Sequence, residues 1–331
     1  MPERNIFIGL GGSGVSTVAA LKYKIYANTP GENPYETLNM NYKFLFVDTD
    51  QADVSKQNAY YKSKFEGGRR LFIDPNNELI NLGTVNPNAV YEEASAKPAA
   101  NRASIDNAVL EACTDELAKK LKPYPLRDGA GAYRYNSRIA FARMSYDFVD
   151  RLKTNIQQLL DTRTAGTDGV TLRYWIVGSC NGGTGSGTFT DVLYLVNMLH
   201  KSFSRKEEPK TTLVMYMPRF YIDGNKGDKK YICNAQAAFL EMDGYQAMSH
   251  SGNQEYEDKV HQMMFHPANL QIEEGIRYRP FSSCIPIDIQ TENGNSLMSP
   301  QAMYSNTAEL LYFIHQSQGR DPLASSFKSD A

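Results

Sequence analysis

The stretch Tyr174–Gly187, with the sequence YWIVGSCNGGTGSG, decides the fold of this chain. Its first residues form an apolar run typical of a buried strand, and the glycines that follow permit a sharp turn. Apolar side chains then recur about every 3.6 residues, which predicts a helix. They are Phe189, Val192, Leu193, Val196 and Leu199. The first N–H groups of such a helix lack partners and, with the helix dipole, attract anions. Together with the hydroxyls of Thr184 and Ser186, the stretch predicts a phosphate site without a lysine.

A similar strand, glycine turn and helix open the chain. The apolar run 5–9 leads into GLGGSG at 9–14, and apolar residues at helical spacing follow. A tight turn without a ligand would show the same pattern, so the turn alone leaves both interpretations open. A dinucleotide-binding fold places an acidic residue at the end of its second strand, and Asp48 follows the apolar run 44–47. A Rossmann dinucleotide site therefore remains an alternative.

A third loop of small residues, DGAGA at 128–132, precedes a helix predicted over 137–160. Between the second strand and this loop, residues 51–128 are turn-rich and are interpreted as an insertion, with an amphipathic helix over 103–121. A second insertion is predicted at 249–280 because that stretch is polar.

Composition narrows the class of protein. The chain has 331 residues, a formal charge of −2 and four widely spaced cysteines. The charge gives no basic surface for nucleic acid, and the cysteine spacing favours free thiols in a reducing compartment. No apolar run reaches the roughly 18 residues that span a bilayer. We expect a soluble, cytoplasmic protein with no nucleic-acid partner and, at most, an indirect relation to membranes.

Strands alternate with helices and no hairpin signal occurs, which predicts an α/β fold. The predicted architecture is a Rossmann-like, mostly parallel sheet with helices on both faces. Pro286 indicates that the last strand lies at an edge of the sheet or ends there, and Ser299-Pro300 starts the final helix as N-cap and first helical residue. We expect one domain over 1–316 and a loose tail over 317–331. All the glycine loops should lie at the carboxyl edge of the sheet, where such folds bind ligands.

Taken together, these loops resemble the tubulin/FtsZ superfamily of GTP-binding proteins. The strongest match is Asn181–Gly187, which agrees with the family signature G-G-G-T-G-[ST]-G at six of seven positions. Asn181 replaces the first glycine, and asparagine tolerates a left-handed backbone better than most residues. The first loop, residues 47–50 and the third loop occur in the family's order around this signature.

The resemblance implies GTP or GDP with Mg²⁺ as ligands. The first loop and the signature would hold the α- and β-phosphates, the third loop would cover the γ-phosphate, and carboxylates would orient metal-bound waters, with no side chain assigned as a direct metal ligand. A fifth loop would contact the ribose, and an asparagine in the final helix the guanine. The implied nucleotide-binding residues are Gly11, Gly12, Ser13, Ser16, Asp48, Asp50, Gly129, Ala130, Gly131, Asn181, Gly182, Gly183, Thr184, Gly185, Ser186, Asp223 and Asn306.

The chain departs from the family pattern in two places. The position for an aromatic that stacks on the base is Ala302, whereas Tyr304 stands two residues later. The chain also ends soon after the final helix, so we expect the family's second, activation domain to be absent. Asp330 falls near the place of the family's activating carboxylate. The resemblance is to divergent prokaryotic tubulin-like proteins, more than to FtsZ proper.

The implied function is a nucleotide-dependent switch or cytoskeletal subunit with weak GTPase activity. A partner would supply the activating carboxylate, and the assembly would be a homo-oligomer or filament. Two alternatives remain. An NAD(P)- or flavin-dependent oxidoreductase would use the first loop and Asp48. A hydrolase would use Cys180, because G-x-C-x-G after a strand has the form of a nucleophile elbow, provided that a histidine base lies in reach.

Overall fold

A computed structural model describes residues 3–29, 34–64, 72–161, 170–203, 208–219, 229–251, 254–270, 279–289 and 299–317. Within these residues the chain forms one six-stranded parallel sheet, in the order β3-β2-β1-β4-β5-β6. The strands are β1 Glu3–Leu10, β2 Tyr42–Asp48, β3 Leu79–Asn81, β4 Thr171–Ser179, β5 Lys210–Tyr216 and β6 Ser283–Ile287. The predicted α/β class is confirmed.

The helices alternate with the strands. They are α1 Gly11–Asn28, α2 Pro34–Asn41, α3 Gln51–Lys64, α4 Pro87–Ala96, α5 Ser104–Ala112, α6 Asp115–Ala118, α7 Arg134–Asp161, α8 Gly183–Phe203, α9 Lys229–Ser251, α10 Gln254–Met263 and α11 Pro300–Ser317. Within the described ranges, none of them combines the length and the apolar character that a membrane span requires.

Strand β1 shows how the sheet is buried on both faces. Ile6 and Ile8 belong to one apolar core, which includes side chains of α7 and α8. Phe7 points the other way into a second core, which includes side chains of α1 and α11. Strands covered on both faces are apolar throughout and do not alternate with polar residues. This explains the continuous apolar runs in the sequence and confirms helices on both faces.

The chain leaves β1 and β4 on opposite faces of the sheet. These strands are neighbours, with Gly9 beside Val177. After β1 the chain enters α1 on one face, and after β4 it enters α8 on the other. Such a switch point opens a crevice at the carboxyl edge of a parallel sheet. The first glycine loop and the signature loop therefore meet by topology alone.

Several predicted elements have different bounds in the structure. The helix predicted over 103–121 is two helices, α5 and α6, because Thr114 is extended and its hydroxyl accepts a bond from Leu117 N (3.4 Å), which caps a new helix. The stretch 51–128 also supplies β3, which pairs with β2. The second predicted insertion contains α10, and Ser317 of the predicted loose tail is helical, while 318–331 lie outside the described residues.

Two predictions about the C-terminal third are confirmed. Strand β6, which contains Pro286, lies at an edge of the sheet. Helix α11 begins at Pro300, and the hydroxyl of Ser299 accepts a bond from Ala302 N (3.4 Å).

A pair of glycines in helices tests this packing. A Cβ on Gly14 would collide with the carbonyl oxygen of Val177 and lie 3.1 Å from Gly9 Cα, whereas a Cβ on Gly244 meets nothing closer than Met248 Cε at 3.9 Å. We expect Gly14→Ala to lower the free energy of unfolding by about 1–3 kcal/mol. Gly244→Ala should raise it by up to about 1 kcal/mol, because alanine favours the helix. Urea unfolding followed by circular dichroism measures both, and similar effects at the two positions would contradict the packing of α1.

Candidate phosphate-binding site

Four loops meet in one pocket at the carboxyl edge of the sheet. The pocket has a volume of about 300 Å³. We call residues 9–14 the first loop, 48–50 the second loop, 129–132 the third loop and 181–187 the signature loop; each contributes to its lining. The predicted convergence of the glycine loops at one place is confirmed. The binding role of the individual residues stays a prediction.

Two helices begin at the pocket. Helix α1 begins at Gly11, and its N-cap, Leu10, offers no side-chain bond to the first N–H groups. Helix α8 begins at Gly183 in the signature loop. Unpartnered N–H groups and the positive ends of two helix dipoles therefore lie at one pocket, which favours a negatively charged ligand.

The third loop lies directly against the signature loop. A Cβ on Gly183 would lie 2.8 Å from Ala130 Cβ and 3.2 Å from Ala132 N. A Cβ on Gly187 would collide with the carbonyl of Arg134, where α7 begins. These glycines are required because main chains approach too closely for any side chain.

Left-handed backbone occurs in the third loop and not at Asn181. The φ angles of Gly129, Gly131 and Ala132 are 83°, 64° and 61°, and Ala132 is the one non-glycine residue with positive φ in the described part of the chain. Asn181 does not use the left-handed conformation that asparagine tolerates. Its side chain links two neighbouring segments: Nδ2 donates to the carbonyl of Pro218 (3.1 Å), and Oδ1 accepts from the hydroxyl of Ser179.

Asp48 in the second loop is buried, and its two carboxylate oxygens differ in their hydrogen bonding. Its Oδ1 accepts from Thr49 N (2.7 Å) and Asp50 N (3.3 Å), whereas Oδ2 has no hydrogen-bond partner among the described residues. Burial raises the pKa of Asp48 to about 7. Asp50 and Asp53 also line the pocket. Carboxylate oxygens suit a hard cation such as Mg²⁺, so the donor set fits a metal-bound phosphate.

The other predicted residues fall into three groups. Thr184 lines the pocket, and its hydroxyl lies 2.8 Å from that of Thr49, which joins the signature and second loops. Ser16 and Ser186 are engaged elsewhere: Ser16 Oγ accepts from Gln57 (2.9 Å), and Ser186 Oγ donates to the carbonyl of Gly182. Asn306 is on an exposed face of α11, whereas Asp223 and Asp330 lie outside the described residues.

The structure adds aromatic and amide groups that the site prediction lacked. The hydroxyl of Tyr304 on α11 lies 3.5 Å from Ser13 Oγ, and its ring packs edge-on against Tyr216 with centroids 5.6 Å apart. Tyr231 lines the pocket, and Asn234 bonds to two of its loops. Tyr304 stood two residues from the expected aromatic position. Nothing in the local sequence marked Asn234, because its contacts come from a separate helix.

The hydrolase alternative is not favoured. Cys180 is fully buried, and burial raises the pKa of its thiol to about 12. A nucleophilic cysteine needs a lowered pKa and access to substrate. The oxidoreductase alternative uses the first loop and Asp48 alone, whereas the pocket joins these to the third and signature loops, so it is not favoured.

A parallel sheet with glycine loops and helix N-termini at its switch point is the arrangement of Rossmann-like, phosphate-binding α/β proteins. Within that class, the family model described as "Tubulin like" matches residues 6–330, and the chain belongs to this tubulin-like family.

Similar solved structures include CetZ from Methanosaeta thermophila strain DSM 6194, with 11% identity, a TM-score of 0.49, and coverage of 97% of this chain and 56% of that one. CetZ2 from Haloferax volcanii, a GTPγS-bound protofilament, has 10% identity, a TM-score of 0.40 and coverage of 98% and 62%. TubZ from Bacillus thuringiensis serovar israelensis, a GTPγS-form protofilament, has 14% identity, a TM-score of 0.41 and coverage of 94% and 56%. The chain thus spans less than two thirds of each of these proteins. No curated protein matches it.

The buried carboxylate predicts a pH-dependent stability. The folded pKa of Asp48 is about 7 against an ordinary 3.8, so the folded state binds the extra proton and stability falls as pH rises between these values. Asp48→Asn removes this loss. We expect its stability advantage over the wild type to grow by about 3 kcal/mol between pH 5 and pH 8, measured by chemical unfolding.

Asp53→Asn is the matched control, because Asp53 lines the same pocket but is partly exposed and pairs with Lys56 at 3.4 Å. Its effect should stay within about 0.5 kcal/mol at both pH values. A pH-independent effect of Asp48→Asn would contradict the raised pKa.

Proposed function

We propose that this chain binds GTP or GDP with Mg²⁺ and acts as a nucleotide-dependent switch or cytoskeletal subunit. The observation that carries the proposal is the convergence of the first, third and signature loops on one pocket, in a chain of the tubulin-like family. The GTPγS-bound protofilaments of CetZ2 and TubZ support guanine as the base and a filament as the assembly.

The geometry suggests a role for each loop. The first N–H groups of α1 and α8 would hold the α- and β-phosphates, since both helices begin at the pocket. The third loop would cover the γ-phosphate, because it closes the pocket over Gly183. Asp48 and Asp50 would orient the waters of a Mg²⁺ ion, which would offset the repulsion between their carboxylates and the phosphates. This pairing would give Asp48 Oδ2, which has no hydrogen-bond partner in the described part of the chain, a positively charged neighbour.

The base would lie beyond the first loop, towards α11. The hydroxyl of Tyr304 lies 3.5 Å from Ser13 Oγ, so this aromatic residue is a better candidate than Ala302 for contact with the base. Asn306 stays the candidate for the guanine edge, and Asp223 the candidate for the ribose.

Hydrolysis would depend on positioning and on charge stabilisation at the phosphates. The carboxylates described at the pocket, Asp48, Asp50 and Asp53, lie on the second-loop side. We therefore propose that a carboxylate from a second molecule activates the water and that turnover is slow without it. Within the chain, the candidate for this carboxylate is Asp330.

Nucleotide titration tests binding. We expect purified protein to retain guanine nucleotide and, after its removal, to bind GTP with Mg²⁺ more tightly than ATP, NADH or FAD in calorimetry. Gly183→Ala should weaken GTP binding at least about tenfold, because its Cβ displaces the third loop. Gly244→Ala, which adds the same methyl group in open space, should leave binding unchanged. Protein that neither retains nor binds guanine nucleotide would refute the proposal.

Phosphate release tests the need for a second molecule. If the activating carboxylate comes from another copy, the rate per molecule should rise with protein concentration, and filaments should appear in electron micrographs over the same range with GTP. A rate per molecule that is constant across a hundredfold dilution would show that one chain hydrolyses GTP unaided.

A further inference from the structure

Asn234 on α9 bonds to two loops of the pocket at once. Its Nδ2 donates to the carbonyl of Ala132 in the third loop (2.8 Å) and to the carbonyl of Asn181 in the signature loop (3.0 Å). An amide nitrogen carries two donors, whereas the amide oxygen would face two carbonyl oxygens if the group were reversed. The two acceptors therefore fix the orientation of this side chain.

The bond to Ala132 holds a backbone that is costly to form. Ala132 has a φ of 61°, a conformation that side chains other than glycine adopt rarely. Such residues persist only where their surroundings determine them. On one side Ala132 packs against Gly183, and on the other its carbonyl is held by Asn234. Asn234 therefore supplies a direct hydrogen bond to the third loop itself, beside the packing contact with Gly183.

We call the two hydrogen bonds of Asn234 the tie. Helix α9, which carries Asn234, also contacts α7 and the pocket. Glu241, two turns after Asn234, pairs with Arg134 at the start of α7. Arg134 also donates to the carbonyl of Ser186 in the signature loop through Nε (2.9 Å) and Nη2 (2.6 Å). Tyr231, one turn before Asn234, lines the pocket. The same face of α9 thus contacts the pocket, the third loop and the helix that follows it.

We propose that Asn234 is a positioning residue that holds the third loop closed and so gives the pocket its preference for a nucleoside triphosphate over a diphosphate. The inference rests on the proposed function. Asn234 acts through the Ala132 carbonyl, and in the proposed function the third loop covers the third phosphate. Loss of the tie therefore weakens triphosphate binding more than diphosphate binding.

Asn234→Ala tests this preference, with Gln236→Ala as the matched control. Gln236 carries the same amide on the same helix but is exposed. Calorimetry should show that the ratio of GTP to GDP affinity falls about tenfold in Asn234→Ala and is unchanged in Gln236→Ala. Equal losses for both nucleotides, or no change, would overturn the proposal.

A nucleotide-free measurement separates this inference from the proposed function. In hydrogen exchange without nucleotide, the amide of Tyr133, which donates to Ala130 (3.3 Å) in the third-loop turn, should exchange about tenfold faster in Asn234→Ala. Amides of β5 should not change, which shows that the variant is folded. Faster exchange with no GTP binding by the wild type would refute the proposed function and still support the tie. Unchanged exchange would overturn the tie even if GTP binds.

Discussion

The whole site depends on close contact between main chains where β1 and β4 part. A Cβ on Gly185 would lie 2.9 Å from Ser179 N and 3.2 Å from the carbonyl of Leu10, and a Cβ on Gly11 would lie 3.1 Å from Gly185 N. Together with the contact of Gly183 on the third loop, these approaches bring three backbone segments within van der Waals distance. Because side chains are excluded at these glycines, main-chain groups form this part of the pocket wall. The signature is thus rich in glycine for reasons of space.

The pocket contains both positive and negative electrostatic features. Two helix N-termini create a positive potential, while Asp48, Asp50 and Asp53 contribute carboxylates to the same pocket. Asp48 is buried, and its Oδ2 has no partner among the residues that the structure describes; this burial costs stability, and the pKa of about 7 reflects that cost. An anionic ligand with a bound cation would interact favourably with both the helix N-termini and the carboxylates. The pocket is therefore better suited to a metal-bound phosphate chain than to a bare anion, at the expense of the stability of the free protein.

The fold and the convergence of the loops were predictable because both follow from local pattern and topology. Apolar runs such as 174–177 predicted buried strands, and parallel strands have only one edge at which their following loops meet. The break between α5 and α6 was missed because the apolar spacing runs on through Thr114, where a hydroxyl cap overrides it. The bond from the Asn181 side chain to Pro218 could not be predicted, because Pro218 lies 37 residues away in the sequence. Which residue of α11 contacts the pocket could not be predicted either, because the contact of Tyr304 with Ser13 depends on how α11 packs against α1.

The asparagine at position 181, where the family signature has glycine, holds the same peptide to which Asn234 donates. Glycine at this position would lack the side chain that reaches Pro218 at the end of β5 and Ser179 at the end of β4. With asparagine, the peptide whose carbonyl accepts from Asn234 is itself held by both strand ends. The hydrogen bonds of Asn234 can restrain the third loop only if Asn181, their partner in the signature loop, is itself held in place. The substitution therefore gives α9 a fixed anchor in the signature loop, against which the strained third loop is held.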